Sequence, residues 1–188
     1  LAHNGNLTNT GDLAELVSKL DPTPARNGRG ATTDTEIMTA LSALQNEKNV
    51  EASALAVLPL LEGAFSLIFM DEKTLYAARD RHGVRPLVIG KLERGWVVAS
   101  ETAALDIVGA AFVREVEPGE FLAINEDGIR SQMWATPDSK GCLFEYVYLA
   151  RPDTTIAGQG VHATRVRIGK RLAIEAPVEA DLVIPVPE

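Results

Sequence analysis

Leu1-Ala2-His3-Asn4-Gly5-Asn6-Leu7 is the stretch from which the rest of the chain is read. An apolar pair runs into His-Asn-Gly-Asn and returns to Leu7, the pattern of a strand that ends in a tight turn. Gly5 has no Cβ, so its backbone can take φ > 0 or lie directly against a ligand. Asn4 tolerates the same region and adds an amide with two N–H donors. An amide donor beside an unobstructed backbone N–H is the equipment of an oxyanion hole. Asn-Gly is also a common hairpin turn signal, so a plain turn is the competing expectation.

Working outward, Asp12 to Leu20 has helical spacing, with Leu13, Leu16, Val17 and Leu20 on one stripe. Pro22 and Pro24 stop it, and Asn27-Gly28-Arg29-Gly30 predicts an exposed loop. Thr32-Thr33-Asp34-Thr35-Glu36 opens a second helix with stripe residues Ile37, Leu41 and Leu44. Asp34 there is either a helix-end acid or an acid placed to hold a cationic group, such as a substrate α-ammonium. Glu51 to Leu61 predicts a third helix, and residues 64–70 and 74–80 predict a β-hairpin. Further strands are expected at 87–90, 96–100, 112–116 and 121–124, with a short helix from Glu101 and a turn at 125–128. Helices first and antiparallel strands afterwards indicate an α+β layered fold. The nearly continuous apolar run Ala64–Met70 requires cover on both sheet faces. A polar stretch at 135–141 predicts a boundary, giving domains over 1–140 and 141–188. In the second, a helix over 161–175 and a strand over 181–186 read as the opening of an α/β domain.

Composition narrows the function. The 188 residues are 46% hydrophobic, enough for a real core, and the net charge of −8 with a pI of about 5.0 argues against nucleic acid and anionic membranes. No apolar run approaches a membrane span of roughly 18 residues. One cysteine, Cys142, excludes an internal disulfide and suits a reducing cytoplasm. It has no neighbouring base, so a buried core thiol is expected rather than a nucleophile. His3, His82 and His162 are too dispersed in sequence to suggest a metal site. The chain starts on Leu1 and stops at Glu188 just after an apolar run, so an internal piece of a longer protein is expected.

Taken together, residues 1–9, 32–36, 62–66 and 78–90 resemble the class II glutamine amidotransferase domain. Residues 99–106 (Ala-Ser-Glu-Thr-Ala-Ala-Leu-Asp), 117–120 (Glu-Pro-Gly-Glu) and 142–153 resemble the amidophosphoribosyltransferase family within it. The resemblance implies a four-layer αββα N-terminal-nucleophile fold, followed by the start of a phosphoribosyltransferase domain. It implies glutamine hydrolysis and transfer of the ammonia to phosphoribosyl pyrophosphate, giving 5-phosphoribosylamine for purine synthesis. Asn4 and Gly5 correspond to the oxyanion hole, and Asp34 to the residue holding the glutamine α-amino group. Cys142 matches a [4Fe–4S] ligand position, which stands open against the core-thiol expectation; Mg2+ belongs to the parent enzyme through ligands elsewhere. The family's nucleophilic cysteine and carboxylate-binding loop lie upstream, and its phosphate-binding loops downstream. The isolated chain is therefore expected to be inactive, and the parent to be a cytoplasmic homo-oligomer. The alternatives are another class II amidotransferase, such as glucosamine-6-phosphate synthase, and a non-catalytic glutamine-binding module.

Overall fold

The first seven residues form a strand and not the expected turn. β1 (Ala2–Leu7) runs through Asn4-Gly5 and pairs antiparallel with β2 (Gly63–Met70), Asn4 opposite Ser66 and Gly5 opposite Phe65. A two-residue hairpin turn of the Asn-Gly kind needs positive φ at both central residues. Here Gly5 has φ +148° and Asn4 does not have positive φ. The glycine serves close approach instead: a Cβ on it would lie 1.9 Å from the Ala64 carbonyl oxygen.

This computed structural model describes residues 1–20 and 33–184; the loop expected at 27–30 lies outside them. The chain divides into two compact units, Leu1–Cys142 and Leu143–Glu188.

In the first unit, α1 (Thr10–Leu20), α2 (Asp34–Leu44) and α3 (Val50–Val57) precede most of the strands. Thr33 caps α2 through a reciprocal capping box with Glu36, so Asp34 is the first helical residue and not the cap. The third helix is shorter than its apolar pattern. Pro59 cannot donate into the α ladder, and Leu58–Leu60 finish as a 3₁₀ turn.

The strands β3 (Leu75–Arg79), β4 (Val88–Leu92), β5 (Gly95–Ala99), β6 (Ala111–Glu115), β7 (Glu120–Asn125) and β8 (Gly128–Met133) complete two antiparallel sheets. Their orders are β1-β2-β3-β7-β8 and β5-β4-β6. β8 escapes the sequence pattern because its side chains from Arg130 to Met133 are exposed, leaving no apolar alternation to read. α4 (Thr102–Ile107) follows β5.

Period-two alternation along β2 explains the layering. Phe65 and Leu67 enter a core with Ile37, Met38, Leu41 and Leu58 of the helical layer. Ile68 faces the other way, toward Leu87, Ile89 and Leu122 between the sheets. Val88 turns from the second sheet to Leu105 of α4. Helix, sheet, sheet, helix is the αββα order, and a strand covered on both faces must be apolar along its length.

Glu120 is the buried charge that ties β7 to its neighbours. Its carboxylate accepts two bonds from the Arg114 guanidinium, both 2.7 Å, one from the Ser131 hydroxyl and one from the Glu117 N–H. Burial pushes this carboxyl up in pKa, but the Arg114, Ser131 and Glu117 hydrogen bonds together outweigh it and leave it below its ordinary 4.5. Glu120→Gln loses the charge-assisted pair and is expected to cost about 2 kcal/mol at pH 7, read by urea unfolding. A lowered folded pKa means stability present above 4.5 and lost as pH falls through the folded value, so the gap to wild type narrows in acid.

In the second unit, Glu145–Leu149 form a π-helical turn, with Ala150 N–H donating to the Glu145 carbonyl at 3.0 Å. Arg165 of α5 (Val161–Glu175) donates to the Tyr146, Tyr148 and Ala150 carbonyls and closes it. β9 (Thr155–Ile156) and β10 (Gln159–Gly160) form a hairpin across Ala157 and Gly158, both at positive φ. The strand expected over 181–186 is not formed at 181–184, and its last two residues lie outside the described ones. A strand needs a hydrogen-bonding neighbour, and no described strand pairs with this segment.

Candidate functional site

The site is built on the open edge of β1. Thr8 N–H donates to the Glu62 carbonyl at 2.9 Å, toward β2. Successive residues of a strand direct their backbone groups to opposite sides, so Asn6 and Asn4 also point theirs at β2. Leu7 N–H points the other way and donates to the Asp34 carboxylate at 2.7 Å. The register is unbroken from Ala2 to Leu7, so Gly5 N–H leaves the strand on the same side as Leu7 N–H. Among the described residues no strand pairs with that edge. Gly5 N–H and Asp34 therefore address one space, with their backbone anchors about 7 Å apart along the strand.

Side chains alternate on the perpendicular axis. Leu7 belongs to the core under the helices, and His3 shares that face by spacing. Burial pushes the His3 imidazole below its ordinary pKa, against the Asp34 charge and the Ala64 backbone, so the ring is neutral at pH 7. Its Nε2 is buried with no hydrogen-bond partner among the described residues. Asn4 points to the inter-sheet side, where its Nδ2 donates to the Ser100 hydroxyl at 3.0 Å. An amide nitrogen carries two N–H groups, so one remains for a ligand.

Ser66, opposite Asn4 on that face, donates to the carbonyls of Arg85 and Pro86. Those carbonyls belong to a loop held from within. Arg79 is 6% exposed and donates to the carbonyls of Arg85, Val116 and Gly83 at 2.8, 2.6 and 3.0 Å. Asp80 is 1% exposed and accepts from the N–H groups of Phe65, His82 and Val84. The Arg79–Arg85 segment is thus held by buried hydrogen bonds next to Ser66, the residue that pairs with Asn4.

Structure brings together Asn4, Gly5 and Asp34, which are separated by up to 30 positions in sequence. It adds Ser100 and Ser66, to which the motifs alone assign no role. No local signal points to Ser100, since its contact with Asn4 spans 96 positions. Cys142 stands apart from this group. It is half-buried and belongs to none of the three apolar cores, which corrects the expected core thiol. It closes the first unit, directly after the exposed Lys140-Gly141. Among the described residues no three His, Cys, Asp or Glu side chains gather as a metal site. These residues alone therefore fit neither Mg2+ nor an iron–sulfur cluster, which takes four thiolates. No described helix is long and apolar enough to cross a membrane.

Comparison with known proteins follows the same lines. Residues 1–107 match the family model of the glutamine amidotransferase domain. The chain is 61% identical over its whole length to an amidophosphoribosyltransferase of Mycobacterium tuberculosis, and 39% identical to that of Bacillus subtilis. It covers 36% and 39% of those two proteins, so it spans between a third and two fifths of their length. The solved glutamine phosphoribosylpyrophosphate amidotransferase of B. subtilis, complexed with ADP and GMP, superposes with a TM-score of 0.88 at 39% identity, over 96% of this chain and 39% of that one. The likeness runs past the family match into the second unit, which sets aside a sugar-phosphate synthase. With more than half of its residues on the family model and its full length aligned to these enzymes, the chain belongs to the glutamine amidotransferase family, on the amidophosphoribosyltransferase branch.

Proposed function

We propose that this chain carries the amide-activating half of a glutamine site in an amidophosphoribosyltransferase. A cysteine thiolate attacks the glutamine side-chain carbonyl carbon, and the carbonyl electron pair moves onto oxygen. Gly5 N–H and the remaining Asn4 N–H meet that oxyanion. Collapse expels ammonia after proton transfer and leaves a thioester, which water hydrolyses through a second oxyanion in the same place. The freed ammonia displaces pyrophosphate from phosphoribosyl pyrophosphate to give 5-phosphoribosylamine. No residue of this chain is proposed as the nucleophile.

The observation that carries this proposal is the shared edge of β1. Gly5 N–H and the Asp34 carboxylate face the same space, and their spacing suits a glutamine extended from its amide to its α-ammonium. Asp34 keeps acceptor capacity beyond its bond to Leu7 N–H, because a carboxylate has about four lone-pair sites. Preorganisation is strong, since the donors sit on a paired strand and not on a loop. In the complete protein a [4Fe–4S] cluster would take Cys142 as one thiolate, and Mg2+ would rest on residues beyond these. A cytoplasmic setting and a homo-oligomer complete the proposal.

Asp34→Asn tests it in the complete natural protein. Asparagine retains an acceptor for Leu7 N–H, so the helix end stays docked, while the charge that holds an ammonium is gone. The expected result is a KM for glutamine raised about 30-fold, roughly 2 kcal/mol, with kcat within about threefold. A KM left unchanged, or no ammonia release from glutamine by the unaltered protein, overturns the proposal.

A further inference from the structure

We propose that Ser100 is a positioning residue for glutamine hydrolysis: its hydroxyl accepts from Asn4 Nδ2 and holds the amide in the plane from which the second N–H reaches the reacting carbonyl. The inference rests on the glutamine-site reading of Asn4 and Gly5, and adds to it the group that sets the direction of the amide.

An asparagine amide is nearly symmetric in shape, so a half-turn about its last torsion exchanges NH2 for C=O at little steric cost. The electrostatic consequence is large. In one orientation the developing oxyanion meets a donor, and in the other it meets a second negative oxygen. A serine hydroxyl can accept from an amide N–H or donate to an amide oxygen, so its part is to hold the amide plane in the orientation found here, with Nδ2 toward Ser100. Backbone pairing with Ser66 positions the Asn4 Cα but cannot choose the orientation of its amide. The Ser66 hydroxyl proton is directed to the carbonyls of Arg85 and Pro86. Ser100 supplies the hydrogen bond to the amide, accepting from Nδ2 at 3.0 Å.

Ser100 is well placed for this. It directly follows β5, whose last residue Ala99 pairs with Val88 of the central strand of the second sheet. It directly precedes Glu101, the N-cap position of α4. Its backbone is thus held between a sheet and a helix start, and the hydroxyl reaches across to the first sheet. The amide that receives the oxyanion is aimed from the opposite layer of the sandwich.

A contact between two sheets could also serve cohesion only, so the test separates aim from cohesion. Ser100→Ala, Ser100→Thr, Asn4→Ala and the Asn4→Ala/Ser100→Ala pair are compared in the complete natural protein. Glutamine hydrolysis is measured alongside the synthesis of phosphoribosylamine from added ammonium chloride, which bypasses the glutamine site. Ser100→Ala is expected to lower kcat for glutamine about 10- to 50-fold with KM within about twofold. Threonine keeps the hydroxyl and restores the rate to within about threefold of the parent, and Ser100→Ala adds no loss on top of Asn4→Ala. The ammonium-driven rate stays unchanged throughout. The inference is overturned if Ser100→Ala leaves kcat intact, if threonine is no better than alanine, if the loss persists in the Asn4→Ala background, or if the ammonium-driven rate falls with it. Failure at Ser100 beside a crippled Asn4→Ala refutes the positioning role alone. An Asn4→Ala protein that still hydrolyses glutamine normally refutes the glutamine site as well.

Discussion

Gly5→Ala is expected to destabilise the first unit by about 4 kcal/mol or more, lowering its melting temperature by roughly 10 °C. A Cβ at this position would sit 1.9 Å from the Ala64 carbonyl oxygen, 2.8 Å from the Ala64 carbonyl carbon and 2.8 Å from the Phe65 Cα. All three are backbone atoms, so no side chain can swing aside. The φ of +148° adds strain for any residue with a Cβ. Relief requires β1 to move off β2, which breaks the pairing that runs from Ala2–Ile68 to Leu7–Gly63. It also disturbs Phe65, which is 1% exposed at the centre of the helix-side core. The check is thermal unfolding followed by circular dichroism, with Gly11→Ala as the control. Gly11 lies in α1 with nothing within 4 Å of its would-be Cβ, and alanine there is expected to be neutral or slightly stabilising. Equal melting temperatures for the parent and Gly5→Ala would show that the strands can separate here without cost.

That expectation is built from structure, and it shows where the sequence falls short. Gly5 is visible in the sequence as a glycine that needs its freedom, but the cause is not. Asn-Gly is a turn signal by local chemistry, whereas here the constraint is a carbonyl 59 positions away. Layering was legible because β2 is apolar on successive residues, and only a doubly covered strand tolerates that. The start of α2 was legible because Thr33 and Glu36 form a capping box at fixed spacing. β8 was not, since Ile129 alone of its large apolar side chains packs inward, and its place is set by hydrogen bonding to β7. Asp34 shows both limits. Its presence at a helix start is a local signal, but its bond to Leu7 N–H joins two elements through space. Asn4, Gly5 and Asp34 thus stand out one by one by motif resemblance as candidates for the proposed site. Their common edge and the hydroxyl of Ser100 were not, because both depend on register and sheet packing.

Asn4→Ala is expected to reduce kcat for glutamine by about 10²- to 10³-fold in the complete protein, with KM changed little. The reason lies in when the contact strengthens. In the proposed glutamine site, the Asn4 N–H would meet a neutral carbonyl in the bound substrate and a full oxyanion in the intermediate, so its loss would fall on the transition state. Stability should fall by no more than about 1 kcal/mol, since Asn4 is only half-buried and loses one hydrogen bond, to Ser100. A simple cavity effect is excluded by a second substitution. Asn4→Asp preserves the shape and replaces the donor with an acceptor-only carboxylate. If Asn4 fills space, aspartate should behave as the parent does; if Asn4 donates to an oxyanion, aspartate should be worse than alanine, because it places negative charge against negative charge. The expected order of kcat at pH 7 is therefore asparagine, then alanine, then aspartate. An aspartate variant more active than the alanine variant would mean that Asn4 acts through packing, and the oxyanion would then rest on Gly5 N–H without the amide.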